Sequence, residues 1–215
     1  MSIRAGVRCR LRKRVPAQSG LGGGSCNAAA AVVGLNALFG AGLSREEMAR
    51  IASDVSSDAA LFVYGGTVRM RGRGEIVEPL PDAPEMHIVV VKPEVGVSTA
   101  WAYSEIDRQG LRRRADASSR MEAAIRSGDR ASVLSSMGND FDPVVTSAIA
   151  EIRLAKAALI ESGAEVAMLA GSGSAVFGVF PSSAAAAAAA GVLAKQSGRV
   201  FVSRTLRRAE SDMIA

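Results

Sequence analysis

A glycine-dense loop and a pair of aspartates carry the residue types and spacing best suited to chemistry in this sequence. The loop reads Pro16-Ala17-Gln18-Ser19-Gly20-Leu21-Gly22-Gly23-Gly24-Ser25-Cys26-Asn27. Glycines reach positive φ and let an anion approach the backbone closely. A helix that starts directly after them adds free N–H groups and the positive end of its dipole. The loop therefore reads as a phosphate cradle, to which Ser25 adds a hydroxyl. It is not a Walker loop, because no Gly-Lys-[Ser/Thr] follows. Nor does an acidic residue at a strand end stand about twenty positions on, as a dinucleotide fold requires; Glu46 and Glu47 there lie on a capped helix. A plain glycine turn is the bland alternative. Asp54 and Asp58 offer carboxylates able to accept a proton, although the local sequence equally fits surface or helix-end charges.

A chain of 215 residues, 48% hydrophobic and 22% charged, is long enough for one large or two small domains with a true core. The net charge of +5 is concentrated at the start, in Arg4, Arg8, Arg10, Arg12, Lys13 and Arg14. No aromatic residue interleaves with that run, so the platforms on which bases stack are missing, and nucleic acid is not the expected partner. Cys9 and Cys26 do not form a disulfide framework, which points to a reducing, cytoplasmic setting. The longest apolar run, Ala28 to Phe39, contains Asn36 and is too short to span a bilayer. The opening residues lack the apolar stretch of a secretory signal.

Val7, Cys9, Leu11 and Val15 alternate with basic residues, predicting a half-exposed strand over 4–15 that Pro16 ends. A helix is expected from Ser25 to Gly40 or Gly42. A second begins at Ser44, where Glu47 completes a capping box. Ala60–Tyr64 and Thr67–Arg71 flank Gly65-Gly66 and read as a hairpin. After Pro79–Pro84 come a buried strand at His87–Val91 and a helix over Ser98–Asp107. A polar loop at 107–120 and two short helices follow, then one long helix near Pro143–Ser162. The last third reads strand 166–169, glycine turn 171–173, strand 175–180, helix 182–196 and strand 199–204. Seven consecutive alanines, Ala184–Ala190, suit that helix. Without a strict βαβ alternation the expected class is α+β in two lobes that divide near Pro84.

Pro16 to Ser25, followed by Asn27-Ala-Ala, resembles the phosphate loop of the GHMP kinases. Ser57-Asp58-Ala59-Ala60-Leu61-Phe62 resembles the segment that carries the family's catalytic aspartate. Further matches are Lys92-Pro93 through Gly96-Val97-Ser98-Thr99-Ala100, Asn139-Asp140-Phe141-Asp142, and Ala170-Gly171-Ser172-Gly173-Ser174-Ala175-Val176-Phe177-Gly178. They run in order from Val7 to Leu206. The resemblance implies the two-lobed GHMP fold, with a ribosomal-protein-S5-like lobe over 1–84 and a ferredoxin-like lobe over 85–215. It also implies ATP as co-substrate with Mg2+, and a small molecule as acceptor. The branch most resembled phosphorylates the 2-hydroxyl of diphosphocytidyl-methylerythritol, in the non-mevalonate route to isoprenoid precursors.

In roles implied by the resemblance, Asp58 is the base and residues 16–26 bind ATP. Thr99, Gly171, Ser172 and Gly173 serve the substrate side. Three departures stand out: Cys26 replaces a serine, Ala59-Ala60 replaces Val-Pro, and the family's upstream segment with its Ala-Lys-Ile-Asn-Leu motif has no counterpart. Residues 1–215 alone are accordingly expected to present an unpaired strand edge and to transfer no phosphoryl group. Two alternatives are a nucleotide-binding remnant without activity and a GHMP kinase acting on homoserine or mevalonate. The Gly96–Thr99 and Asn139–Asp142 segments stand against the latter.

Overall fold

The computed structural model describes residues 6–110, 116–195 and 198–212. These form a mixed α+β structure in two compact units, Met1–Ala17 with Gly22–Asp82 and Leu206–Ala215, and Gln18–Leu21 with Ala83–Thr205. Two segments thus fall outside a simple division near residue 84. Gln18–Leu21 groups with the second unit and the C-terminal stretch with the first.

In the first unit, α1 (Gly23–Phe39), α2 (Arg45–Val55) and α3 (Ala59–Tyr64) pack together. Their core is built from Ala29, Ala49, Ala52, Ala59, Ala60 and Val63. Small side chains bring helix backbones close, which matters below. Gly40 ends α1 in the left-handed conformation, as a C-terminal glycine should. The capping box of α2 is complete: Glu47 N donates to Ser44 Oγ at 3.2 Å, and Ser44 N donates to Glu47 Oε2 at 2.8 Å. β1 (Val68–Arg71) and β2 (Ile76–Pro79) make an antiparallel hairpin. A short helix, α10 (Arg208–Asp212), joins this unit, with Arg208 Nη2 donating to Thr67 O and Leu80 O at 2.8 and 3.1 Å.

The second unit is a four-stranded antiparallel sheet of order β4-β5-β3-β6, comprising β3 (His87–Lys92), β4 (Val166–Leu169), β5 (Val176–Phe180) and β6 (Arg199–Arg204). The Ile/Val run of β3 takes the centre of this sheet, as its composition requires. Around it stand α4 (Thr99–Gln109), α5 (Ala117–Ser127), α6 (Arg130–Ser136), α7 (Phe141–Ala148), α8 (Ala150–Glu161) and α9 (Ser183–Leu193). Val89, Val91, Ile152, Leu159, Phe180, Ala186 and Leu193 close the core, all fully buried. Each large member contributes about 1.5–3 kcal/mol on burial. No helix among the described residues is long and apolar enough to cross a membrane.

Four expectations need correction. Residues 6–14 pair with no strand among the described residues. Val7 and Leu11 are exposed, and a strand needs a ladder partner whatever its alternation. Arg4 lies outside the described residues. The hairpin does not turn at Gly65-Gly66: 59–64 is helix α3, closed by Gly65 N donating to Leu61 O, and the turn lies at Gly72–Glu75. A six-residue apolar run suits either element, and here its alanines are wanted against α1 and α2. The long helix is two. Thr146 Oγ1 and Ser147 Oγ donate back to Asp142 O and Val144 O, and the backbone turns extended at Ile149, consistent with hydroxyls competing for helix carbonyls. The loop expected over 107–120 is narrower, since α4 runs to Gln109 and α5 starts at Ala117; 111–115 lie outside the described residues.

Candidate active site

The phosphate-loop candidate enters α1 through Gly22, which takes a left-handed conformation (φ 65°, ψ 15°) as the residue before the helix. A Cβ at Gly22 would lie 2.8 Å from the Phe62 ring, and one at Gly23 would lie 2.9 Å from Val15 Cγ1. A side chain at Gly22 would have to displace the Phe62 ring, and one at Gly23 the Val15 side chain. Gly24 is different: nothing stands within 4 Å of a Cβ built there. The first backbone bond of α1 is Cys26 N to Gly22 O at 2.9 Å. No side chain caps this end and no acidic residue occupies its first turn. The amides of Gly23, Gly24 and Ser25 therefore have no acceptor within α1 and lie at the positive end of its dipole, the arrangement that suits an anion.

Ser25 Oγ lies 2.8 Å from Ser56 Oγ, so the first turn of α1 is tied to the segment that leads into Asp58. Asp58 is exposed and stands before α3, making no side-chain cap bond. Its backbone is held by its neighbours, because Ala59 and Ala60 are buried to 0% and 1% exposure and Ala59 N donates to Ser56 O. The alanine pair, which stands where the family's segment has Val-Pro, is thus part of the helical core. Asp54 lies elsewhere, lining a cavity of about 480 Å³ with Arg50, Ser53, Ser57, Arg73 and Glu75. Lys13 belongs to the basic run that opens the chain. Its Nζ stands 3.4 Å from where a Cβ on Gly23 would be, beside the first turn of α1.

In the second unit, Gln18–Leu21 pack on the glycine turn. Ser174 N donates to Gln18 O at 3.2 Å and Ala175 N to Ser19 O at 3.1 Å. Ser19 and Ser174 are both buried. A Cβ on Gly20 would fall 1.8 Å from Ala170 O. Thr99 Oγ1 meets Ser172 Oγ at 2.9 Å, joining two substrate-side candidates that lie far apart in sequence. Thr99 opens α4 under the Ser98 cap, whose hydroxyl accepts from Trp101 N. The loop before it is stitched by Lys92, which is 8% exposed and donates to Pro93 O and Val95 O at 2.6 and 2.9 Å. Burial, with Arg199 nearby, pulls the Lys92 ammonium below its ordinary pKa. Sequence reasoning gave no role to Ser56, Lys92, Asn139, Asp142 or Ser174. The last four lie inside matched motifs, whereas Ser56 lies just outside one and no sequence signal marks it.

The model of the GHMP kinases N terminal domain matches residues 1–66, and that of the GHMP kinases C terminal domain matches 121–198. The chain is 42% identical over 203 residues to 4-diphosphocytidyl-2-C-methyl-D-erythritol kinase of Moorella thermoacetica, covering 94% of itself and 71% of that relative. A crystal structure of 4-(cytidine 5'-diphospho)-2C-methyl-D-erythritol kinase superposes with a TM-score of 0.75 at 26% identity, over 89% of this chain and 68% of that one. Homoserine kinase from Cytophaga hutchinsonii, also at a TM-score of 0.75, shares the fold at 24% identity, over 91% of this chain and 68% of its own. Uncapped helix end, ordered glycine motifs and overall match agree: this chain belongs to the GHMP kinase family.

Proposed function

We propose that the chain supplies the phosphate loop, the base and the glycine turn of an ATP-dependent kinase acting on 4-diphosphocytidyl-2-C-methyl-D-erythritol. The observation that carries this reading is the uncapped start of α1, joined through Ser25 and Ser56 to the segment bearing Asp58. The amides of Gly23–Ser25 hold the ATP phosphates, and Lys13 adds a positive charge beside them. The Asp58 carboxylate takes the proton of the acceptor 2-hydroxyl as its oxygen bonds to the γ-phosphorus and ADP departs. Thr99 and Ser172 offer hydroxyls to the acceptor. Mg2+ arriving with ATP would offset the phosphate charge, and the Ser25 hydroxyl would be the side chain of the loop to hold it. Two free cysteines, Cys9 and Cys26, fit a reducing cytoplasm.

Gly24 gives the clean test. Alanine at Gly22 would strike Phe62, so lost binding there has a trivial explanation. Gly24→Ala meets no atom and replaces glycine within a helix, which favours folding by about 0.5–1 kcal/mol. If phosphate sits on this backbone, isothermal titration shows ATP affinity falling at least about tenfold while Tm is unchanged or higher. Lys13→Met is expected to weaken ATP about five- to tenfold, less at high salt. Wild-type affinity in Gly24→Ala would move the phosphate site elsewhere.

A further inference from the structure

The Asn139-Asp140-Phe141-Asp142 motif has no task in the transfer just described, yet its side chains converge on one short stretch of backbone. Asn139 Nδ2 donates to both Leu169 O and Gly171 O at 2.8 Å, while its Oδ1 accepts from Phe141 N at 2.9 Å. Asp142 Oδ1 accepts from Leu169 N at 2.7 Å, and its other oxygen pairs with Lys156 Nζ. Both backbone groups of Leu169 and the carbonyl of Gly171 are thereby held by side chains of the segment that opens α7. The residue between them, Ala170, carries the carbonyl against which Gly20 rests. Gly173 N closes the turn onto that same carbonyl at 2.9 Å. From there the contact passes to Gln18 and Ser19 through the amides of Ser174 and Ala175.

We propose that Asn139 and Asp142 form a clamp that fixes the glycine turn and, through it, the Gln18–Leu21 arm of the phosphate loop. Both are positioning residues: they touch neither ATP nor acceptor, and set where Gly20 lies. The assignment rests on the reading of that loop as the ATP site. Two features separate it from simple packing. The Asn139 side chain spends both donor hydrogens on the turn, and its acceptor is used at home to start α7. Removing the donors alone therefore frees the turn without unwinding the helix.

Asn139→Asp performs that separation, keeping the acceptor for Phe141 N while placing a carboxylate against two carbonyls. Hydrogen exchange on the whole chain is expected to quicken at the Gly173, Ser174 and Ala175 amides at least about tenfold, with α7 and α9 unaltered. ATP affinity by titration should fall about tenfold or more. Should Asn139→Asp fail to fold, Asn139→Ser, which retains a side-chain acceptor, carries the same measurements. Unchanged exchange at 173–175 would overturn the clamp, whether or not ATP binds. Uniformly faster exchange across β4 and β5 would reduce the motif to general stability and equally overturn it. Local loosening with wild-type ATP affinity would break the link to the loop. Wild-type protein without ATP heat would instead sink the kinase reading, and the exchange data would tell that failure apart.

Discussion

Asn in place of Asp58 is expected to lower turnover at least about a hundredfold while ATP affinity stays within about twofold. Size and shape are kept, and only the proton acceptor is lost. The fold should not notice, because the side chain is exposed and makes no cap bond to α3. Its backbone position depends instead on Ala59 and Ala60 in the helical core and on Ser56, which meets Ser25 across α1. The measurement is coupled ADP release with 4-diphosphocytidyl-2-C-methyl-D-erythritol, in a form of the chain that turns over, beside ATP titration of the same variant. Asp54→Asn is the control. That carboxylate lines a cavity with Arg50 and Arg73, and its removal should be nearly neutral. A loss below about threefold in Asp58→Asn would take the base assignment away from this residue.

Much of the fold was legible because local chemistry and tertiary packing agreed. Ser44 and Glu47 announce α2, Ser98 announces α4, and the Ile/Val run of β3 can only be a central strand. The alternation at Val7–Val15 misled for the opposite reason. Period-two patterning describes which faces a strand would show, and pairing is decided by a partner distant in sequence. The run Ala59–Tyr64 was ambiguous at six residues, and the alanines of α1 and α2 settled it. The candidate site is legible as motifs and opaque as contacts. Gly20–Ser25 stand out by residue type, whereas Asp58 is set apart from Asp54 only by the resemblance of its segment. That Ser56 touches Ser25, that Lys13 reaches α1, or that Asn139 holds Gly171 depends on how separate elements pack, and no spacing rule reports it.

Gly20→Ala is expected to be the most damaging single methyl group that can be added to the loop. The built Cβ lies 1.8 Å from Ala170 O and 2.7 Å from Ala170 C, both backbone atoms that no rotamer change can move aside. The residue also holds φ at 72°, where any side chain is strained. To admit the methyl group, Gln18–Leu21 must lift from the turn, and the bonds from Ser174 N and Ala175 N to Gln18 O and Ser19 O are then lost. Ser174, fully buried, would be left with a poorly satisfied amide. Clash, strain and two weakened hydrogen bonds together cost about 3–5 kcal/mol. Tm should therefore fall by roughly 6–20 °C, with ATP heat absent from titration. Gly34→Ala separates this from a general intolerance of change. It lies within α1 with nothing inside 4 Å of its Cβ, so it should raise stability by about 0.5–1 kcal/mol and leave ATP binding intact. A Gly20→Ala protein as stable as wild type would mean that the loop does not rest on the Ala170 carbonyl in solution.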